Sequence, residues 1–434
     1  MKKIHFLYNY LSRHNYFFKK KLEKILDYHE WASERIENEK NKKFVNTVKH
    51  AYQNSLFYRD LYNQHGVNIN SIKSLQDITL LPSINKEQVR KRSKDILTRD
   101  SFTKLKGYTS GTSGTPLVVY RNPGAILEEN AYLWAHRFLT GHQPKMKSIS
   151  LRGDLDANTL EGYDPFTCTL YLSSYQLREE NTEWYFKRIA RFKPNAIFSY
   201  PSSIEALCNL LETRNYKLDI PYVFTSSETV YDFQREKVKK VLGAKIVDWY
   251  GNAERSIALE QLSDETYIEA PLYSFNEYFP DHIYTTSFLN SIFPLIRYEV
   301  EDVVQIDDSS ISQNQKIISI QGRKDDFLVF SDGTKIGRMS GTLKGVNHIK
   351  YTQFVQNDPS FFVVNVVPSQ GYNQQDEELL VKKISSKVGE VPFSVNKVSE
   401  SEIIRTKAGK YKLIVNNFYN RKTEKTFQTE EKDS

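Results

Sequence analysis

The chain of 434 residues has only two cysteines, Cys168 and Cys208. That excludes a disulfide framework and a four-cysteine zinc site. No stretch approaches the 18 or so apolar residues of a membrane helix, so no membrane span is expected. The opening MKKIHFLYNYL has the charge of a signal peptide, but His5, Tyr8 and Asn9 interrupt its apolar part. The expectation is a reduced, cytoplasmic protein. Neither sign of charge dominates: 60 Lys and Arg face 53 Asp and Glu, a net charge of +7. The basic runs at Lys19–Lys21 and at Lys40, Lys42 and Lys43 are broken by Glu23, Glu37 and Glu39. They read as solvated helix faces, and no nucleic-acid partner is expected. No HExxH, no GxSxG and no helix-opening GxGxxG occurs, and His136 and His142 stand six apart. A zinc protease, an α/β-hydrolase and a dinucleotide-fingerprint enzyme are thereby disfavoured.

Aromatic residues are abundant, with 28 Tyr and 25 Phe, which excludes disorder throughout. The length allows two or three domains. Residues 1–95 read as mainly helical, with Gly66 their only glycine and Ser83 or Asn85 as a possible N-cap before a helix. In the middle, the run Asn195–Tyr200 predicts a strand. Ser202 and Glu205 then have capping-box spacing, and Ile204, Leu207, Leu210 and Leu211 recur at helical spacing. Tyr222–Ser227 predicts a second strand. The helix after it carries Phe233, Val238, Val241 and Leu242 and stops at Gly243, and Ala244–Gly251 predicts a third strand. Strand–helix–strand–helix–strand with short connections implies a parallel sheet with right-handed crossovers. Ligands of such sheets bind beyond the carboxyl ends of the strands. Three polar loops should share that edge: Pro201-Ser202, Ser226-Ser227-Glu228 and Tyr250-Gly251-Asn252-Ala253-Glu254. The last hundred residues read as a smaller α/β unit. It has the strand SFFVVNVVP, the helix Asp376–Val388 with Leu379, Leu380, Ile384 and Val388 on one face, and the strand FSVNKV. The charged, glycine-bearing QGRKDD marks the boundary, so that 1–323 forms a large domain and 324–434 a small one.

Five segments can carry chemistry. In GYTSGTSGTPLVVY, the residues Thr109 to Pro116 are all Thr, Ser, Gly or Pro. Successive N–H groups and hydroxyls there can make a nest for phosphate oxygens, and read alone the segment is equally a hairpin tip or linker. It is not a Walker A loop, because no Gly-Lys-Ser/Thr follows. DWYGNAERS offers the rings of Trp249 and Tyr250 and the carboxylate of Glu254, a ligand for a hard cation or simply a solvated turn residue. In RYEVEDVV, Asp302 follows an apolar-flanked strand and can accept ribose hydroxyls or form a surface pair. GRKDDFLVFSDGTKIG contains Arg323, Asp325 and Asp326 and an Asp332-Gly333 turn between strands. In RTKAGKYK, Lys410 can bring a positive charge to a reacting oxyanion, or can be an ordinary exposed lysine.

In this order and spacing, TSGTSGTP, YGNAE, RYEVED, GRKDD and the late GK lysine resemble the adenylate-forming superfamily. Within it they are most similar to the phenylacetate–coenzyme A ligase family, especially its branch in capsular-polysaccharide gene sets. The resemblance runs from about residue 45 to 418. It implies a large N-terminal adenylate-forming domain of parallel α/β sheets and a small mobile C-terminal α+β domain with the catalytic lysine. The activity implied is an ATP-dependent carboxylate-activating ligase. It would form an acyl-adenylate and transfer the acyl group to a thiol, coenzyme A among the candidates, or to an amine, in surface-polysaccharide assembly. Thr109, Ser110, Gly111, Thr112, Ser113, Gly114 and Thr115 would hold the β- and γ-phosphates of ATP. Ser226, Ser227 and Glu228 would line the adenine pocket with Tyr250 on the ring, and Gly251 and Asn252 would complete the nucleotide site. Glu254 would bind Mg²⁺, Asp302 with Arg323 the ribose, Asp325 would be the hinge and Lys410 the catalytic cation. The acid itself would sit near Tyr200–Ser203 and Ser226–Glu228, with Tyr171 and Tyr175 as lining or core residues. The chain departs from the family pattern at Ala253, where Thr is usual, and at Glu301, where Gly is usual. Two other readings share the ATP site: transfer of AMP to a cofactor hydroxyl, and a non-catalytic nucleotide-binding homologue.

Overall fold

The computed structural model describes residues 15–98, 104–108, 117–152, 155, 159–262, 265–280, 282–307, 316–323, 327–331, 335–337, 339–343, 346, 348–405 and 411–417. Two compact units result. Of the described residues, the first holds those up to Val300 and again Val304–Ile320, and the second holds Glu301–Val303 and those from Gln321 onward.

The first unit opens with helices, as the Lys-, Glu- and Leu-rich composition predicts. Helix α1 (Tyr16–His29) is capped by the Asn15 side chain and buries Phe18, Leu22, Ile25 and Tyr28 at helical spacing. Helix α2 (Ser33–Asn54) buries Phe44, Val48 and Ala51, and α3 (Leu56–Gln64) follows. Asn85 is the N-cap of a short helix, α4 (Lys86–Lys91), in a reciprocal box with Gln88. A hairpin of β1 (Leu105–Tyr108) and β2 (Val118–Arg121) precedes α5 (Pro123–Leu139), whose start is set by the Asn122 cap and a proline in the first turn.

The chain then builds an eight-stranded sheet from β3 (Ser148–Leu151), β4 (Glu161–Asp164), β5 (Thr169–Leu172), β6 (Ala196–Ser199), β7 (Tyr222–Ser226), β8 (Lys245–Gly251), β9 (Ala258–Glu260) and β10 (Ile268–Glu269). Its order is β10-β9-β8-β7-β6-β3-β5-β4. The five strands from β8 to β5 are mutually parallel, whereas the β8–β9, β9–β10 and β5–β4 pairs are antiparallel. Alternate residues serve opposite faces. Ile197, Val223 and Ile246 join one core with helices α6 (Thr182–Phe192), α7 (Pro201–Thr213) and α8 (Asp232–Leu242), while Phe198, Phe224 and Val247 join the other. A sheet covered on both faces needs such continuous apolar strands. A three-stranded antiparallel sheet of β11 (Ser274–Tyr278), β12 (Ile283–Ser287) and β13 (Tyr298–Val300) and a pair, β14 (Asp302–Ile306) and β15 (Ile317–Arg323), follow.

The second unit is α+β. Hairpin β16 (Phe327–Val329)/β17 (Lys335–Gly337) is followed by a four-stranded sheet ordered β20-β19-β18-β21. These strands are β18 (Ile349–Asp358), β19 (Phe361–Pro368), β20 (Phe393–Lys397) and β21 (Ile414–Asn416). Helix α9 (Gln374–Val388), boxed at its start by Asn373 and Asp376, buries Leu380, Ile384 and Val388 against Phe354, Phe362 and Val364.

Several expectations are corrected. Ser202 and Glu205 form no capping box: α7 starts at Pro201 without a local side-chain cap, and Glu205 instead accepts from Gln234 at 2.7 Å. Phe233 and Leu379 face solvent, at 41% and 36% exposure, because their helices turn those positions just off the buried stripe. Tyr175 is exposed and is not a core aromatic. The Asp332-Gly333 turn lies outside the described residues. Among the described residues no helix is long and apolar enough to cross a membrane.

Candidate functional site

Strands β6, β7 and β8 are parallel neighbours with Ser199 beside Thr225 and Ser226 beside Trp249, so their carboxyl ends share one edge. This is the edge at which open α/β sheets bind ligands. Two of the three loops are bonded directly. Glu228 accepts the Ser202 N–H at 2.9 Å and the Ser202 hydroxyl at 3.1 Å. A carboxylate from the next strand thus supplies the acceptor that α7 lacks locally and complements its positive end. Ser227, between them, takes a left-handed φ of 72° and is exposed. Arg152, just beyond β3, donates to the Ser226 hydroxyl at 3.3 Å and lies 5.5 Å from the Tyr200 ring centroid. Sequence reasoning missed this arginine, although its place after the strand SISL at the same sheet edge is a usable signal.

The third loop follows β8. A Cβ on Gly251 would lie 3.2 Å from Trp249 Nε1 and 3.3 Å from the Ile257 carbonyl, so a side chain there would make its neighbours give by a few tenths of an ångström. Asn252 donates from Nδ2 to the Ser256 hydroxyl at 2.7 Å and accepts the Ser256 N–H at 2.9 Å, which turns its amide inward along the loop. Arg255 has a left-handed φ of 58°. The carbonyls of the loop are held by side chains from other elements. Arg121 Nη2 donates to the Ala253 carbonyl, the Ser287 hydroxyl to the Arg255 carbonyl at 3.2 Å and the Thr285 hydroxyl to the Ser256 carbonyl at 2.7 Å. Glu254, half-buried, accepts the Tyr298 hydroxyl at 3.0 Å on Oε1. Burial and the neighbouring Arg255 guanidinium push Arg121 down to about 10, so it stays charged at neutral pH. Glu129, bonded to the Tyr273 hydroxyl, is the buried carboxylate nearby.

Trp249 and Tyr250 do not both offer free faces. Trp249 is 6% exposed in the core with Tyr273, whereas Tyr250 is half-buried at the end of the strand. The alternation of a strand requires this split. Asp302, half-buried, follows β13 after Glu301 and is the first residue of β14. Arg323 is the last residue of β15. The loop Thr109–Thr115, Asp325 and Lys410 lie outside the described residues. His136 and His142 are buried, and burial pushes both down to about 4, leaving them neutral. The structure therefore brings Ser226, Ser227 and Glu228 together with Ser202 and Arg152, and sets Glu254 in a loop braced from β2, β12 and β13. A carboxylate with one oxygen anchored by a hydroxyl suits a magnesium ion, which is commonly held by one or two carboxylates and substrate phosphates.

Residues 328–417 match the family model of the CapK C-terminal domain. Protein CapK of Staphylococcus aureus is 25% identical over 406 residues, covering 88% of this chain and 89% of that protein. Phenylacetate-coenzyme A ligase of Pseudomonas putida is 24% identical over 311 residues, covering 65% and 69%. Among solved structures, 2-hydroxyisobutyryl-CoA ligase in the postadenylation state superposes with a TM-score of 0.68 at 15% identity, covering 89% of this chain and 91% of that one. Along its sequence, in its matching C-terminal domain and in its fold, the chain is similar to the CapK-like branch of the adenylate-forming ligases.

Proposed function

We propose that the chain is an ATP-dependent ligase that activates a carboxylic acid as its acyl-adenylate and passes the acyl group to a thiol, such as coenzyme A, or to an amine, in surface-polysaccharide assembly. The observation that supports this best is Glu254. It stands at the carboxyl end of β8, anchored to Tyr298 and beside the edge formed by Ser202, Ser226 and Glu228. The names of the relatives point the same way.

A carboxylate is a poor electrophile and is repelled by a triphosphate. The protein's part is to hold the two in line and to place positive groups where charge develops, which can offset about 7–11 kcal/mol of the barrier. The acid's oxygen attacks the α-phosphorus, pyrophosphate leaves, and the mixed anhydride carries an acyl carbon open to a second nucleophile. That nucleophile gives up its proton and AMP departs. Thr109–Thr115 would hold the β- and γ-phosphates, and Ser226, Ser227, Glu228 and Tyr250 the adenine. Gly251 and Asn252 would border the α-phosphate, Asp302 and Arg323 would take the ribose, and Lys410 would contact both the acid and the α-phosphate. Mg²⁺ bound through Glu254 would offset triphosphate charge. Tyr298 orients the Glu254 carboxylate for that purpose.

The test is pyrophosphate release from ATP over aromatic, aliphatic and amino acids, with and without coenzyme A, and mass analysis of the products. Free AMP with an acylated acceptor is expected. A stable AMP adduct would mean nucleotidyl transfer, and ATP binding with no turnover on any acid would mean a non-catalytic protein. Either outcome removes the proposal.

A further inference from the structure

The geometry points to Arg121 as a positioning residue: from β2 it clamps the Ala253 carbonyl and so sets the Glu254 carboxylate for the metal–nucleotide complex. The inference rests on the proposed function and extends it to a residue outside every motif identified in the sequence.

Arg121 lies 132 residues from Ala253 in the chain, yet its Nη2 donates to that carbonyl. Its guanidinium packs over Gly107 of β1. A Cβ on Gly107 would come within 2.6 Å of Arg121 Cζ and Nη1, so the glycine makes room for the group. Glu129 and Glu254 favour the Arg121 charge, but other parts of the arrangement are unfavourable for stability. Arg121 and Arg255 are like charges side by side. Arg121 Nε and Arg255 Nη1 are buried donors with no partner among the described residues. Each unmet buried donor carries an uncompensated desolvation cost. Arg255 also holds a left-handed φ of 58°. Costs of this kind gather where a loop is held for function. What the clamp secures is local. Glu254 is the residue after Ala253, and its own bond to Tyr298 fixes only one oxygen. With Arg121 removed, the carbonyl before Glu254 is released while Ser287 and Thr285 still hold Arg255 and Ser256. The loop therefore loosens at the carboxylate and not at its far end.

The test uses the full chain with Arg121→Met and Arg121→Lys, read by ATP–pyrophosphate exchange across a Mg²⁺ titration, by Mg²⁺-dependent ATP binding and by thermal midpoint. Arg121→Met should raise the Mg²⁺ concentration for half-maximal exchange and lower kcat, together by about 10- to 100-fold, the usual effect of misplacing a reacting group by about 1 Å. Its thermal midpoint should be unchanged or higher. Arg121→Lys, which keeps a donor, should recover part of the loss. Unchanged exchange and Mg²⁺ requirement in Arg121→Met overturns the inference. So does a loss that follows a fallen midpoint and is not relieved by lysine, since that marks a role in folding alone. If the unaltered chain exchanges pyrophosphate with no acid, the proposed function fails instead, and Arg121 is judged by ATP binding. An equal Mg²⁺ dependence of binding in both proteins, or no binding in either, then overturns the inference too.

Discussion

Glu228 grips Ser202 twice, through the backbone N–H at 2.9 Å and the hydroxyl at 3.1 Å, across the gap between two neighbouring parallel strands. The bond ties the loop after β7 to the first turn of α7, and it replaces a cap that the helix lacks in its own sequence. Glu228→Ala should lower unfolding free energy by about 1.5 kcal/mol, the lower end for hydrogen bonds to a charged group, because the site is half-exposed. Glu228→Gln should lose less. Chemical denaturation measures both, and an unchanged midpoint for the alanine variant would remove Glu228 as the anchor of α7.

His29 gives a pH dependence. Its Nδ1 is 2.9 Å from the Ile25 carbonyl and its Nε2 is 2.6 Å from the fully buried Glu260, so both ring nitrogens face acceptors and the imidazolium is the form that fits. Burial pulls its pKa down, but the bond to and charge of Glu260 outweigh it, and the net shift is upward. A raised folded pKa means stabilisation that is complete below the ordinary value near 6.5 and is lost as pH rises through the folded value. The thermal midpoint of the unaltered chain should therefore exceed that of His29→Gln at pH 5.5 and converge on it above neutrality. A gap that widens with rising pH would contradict the assignment.

The two cysteines should differ in reactivity. Cys208 is fully buried in the core beneath the large sheet, and burial pushes its thiol well above the usual range. Cys168 is half-buried in a turn with φ of 56°. Titration of the native protein with a thiol reagent should modify Cys168 alone, and two equivalents should appear only after denaturation. Fast modification of two thiols in the native state would mean that the α7 face of the sheet opens readily.

Lys410 tests the proposed chemistry. Lys410→Ala should reduce carboxylate-dependent pyrophosphate release by at least about 10²-fold, by comparison with the removal of single transition-state donors elsewhere, and leave the thermal midpoint in place. Release at the unaltered rate would take Lys410 out of the mechanism.

Much of this architecture is legible in the sequence because it is written in local periods. The strands at Ala196–Ser199, Tyr222–Ser226 and Lys245–Gly251 and the helices between them follow from short apolar runs and 3.6-residue spacing, with Gly243 ending a helix at φ of 65°. Asn85 is readable as a cap because its partner Gln88 is three residues on. The misreadings arise where tertiary partners compete. Ser202 and Glu205 have capping-box spacing, but Glu228 and Gln234 reach them first. Trp249 and Tyr250 look alike in sequence, and only the alternation of β8 decides which is buried.

By itself, then, the sequence determined the α/β class, the three loops at one sheet edge and the resemblance to adenylate-forming ligases, since each depends on neighbours in the chain or on motif order. Tertiary structure decided how those loops are held: Glu228 to Ser202 across 26 residues, Tyr298 to Glu254 across 44 and Arg121 to Ala253 across 132. Such partners carry no local period. They meet only because parallel strands bring their carboxyl ends to one edge, and because β2, β12 and β13 supply the donors for the loop after β8.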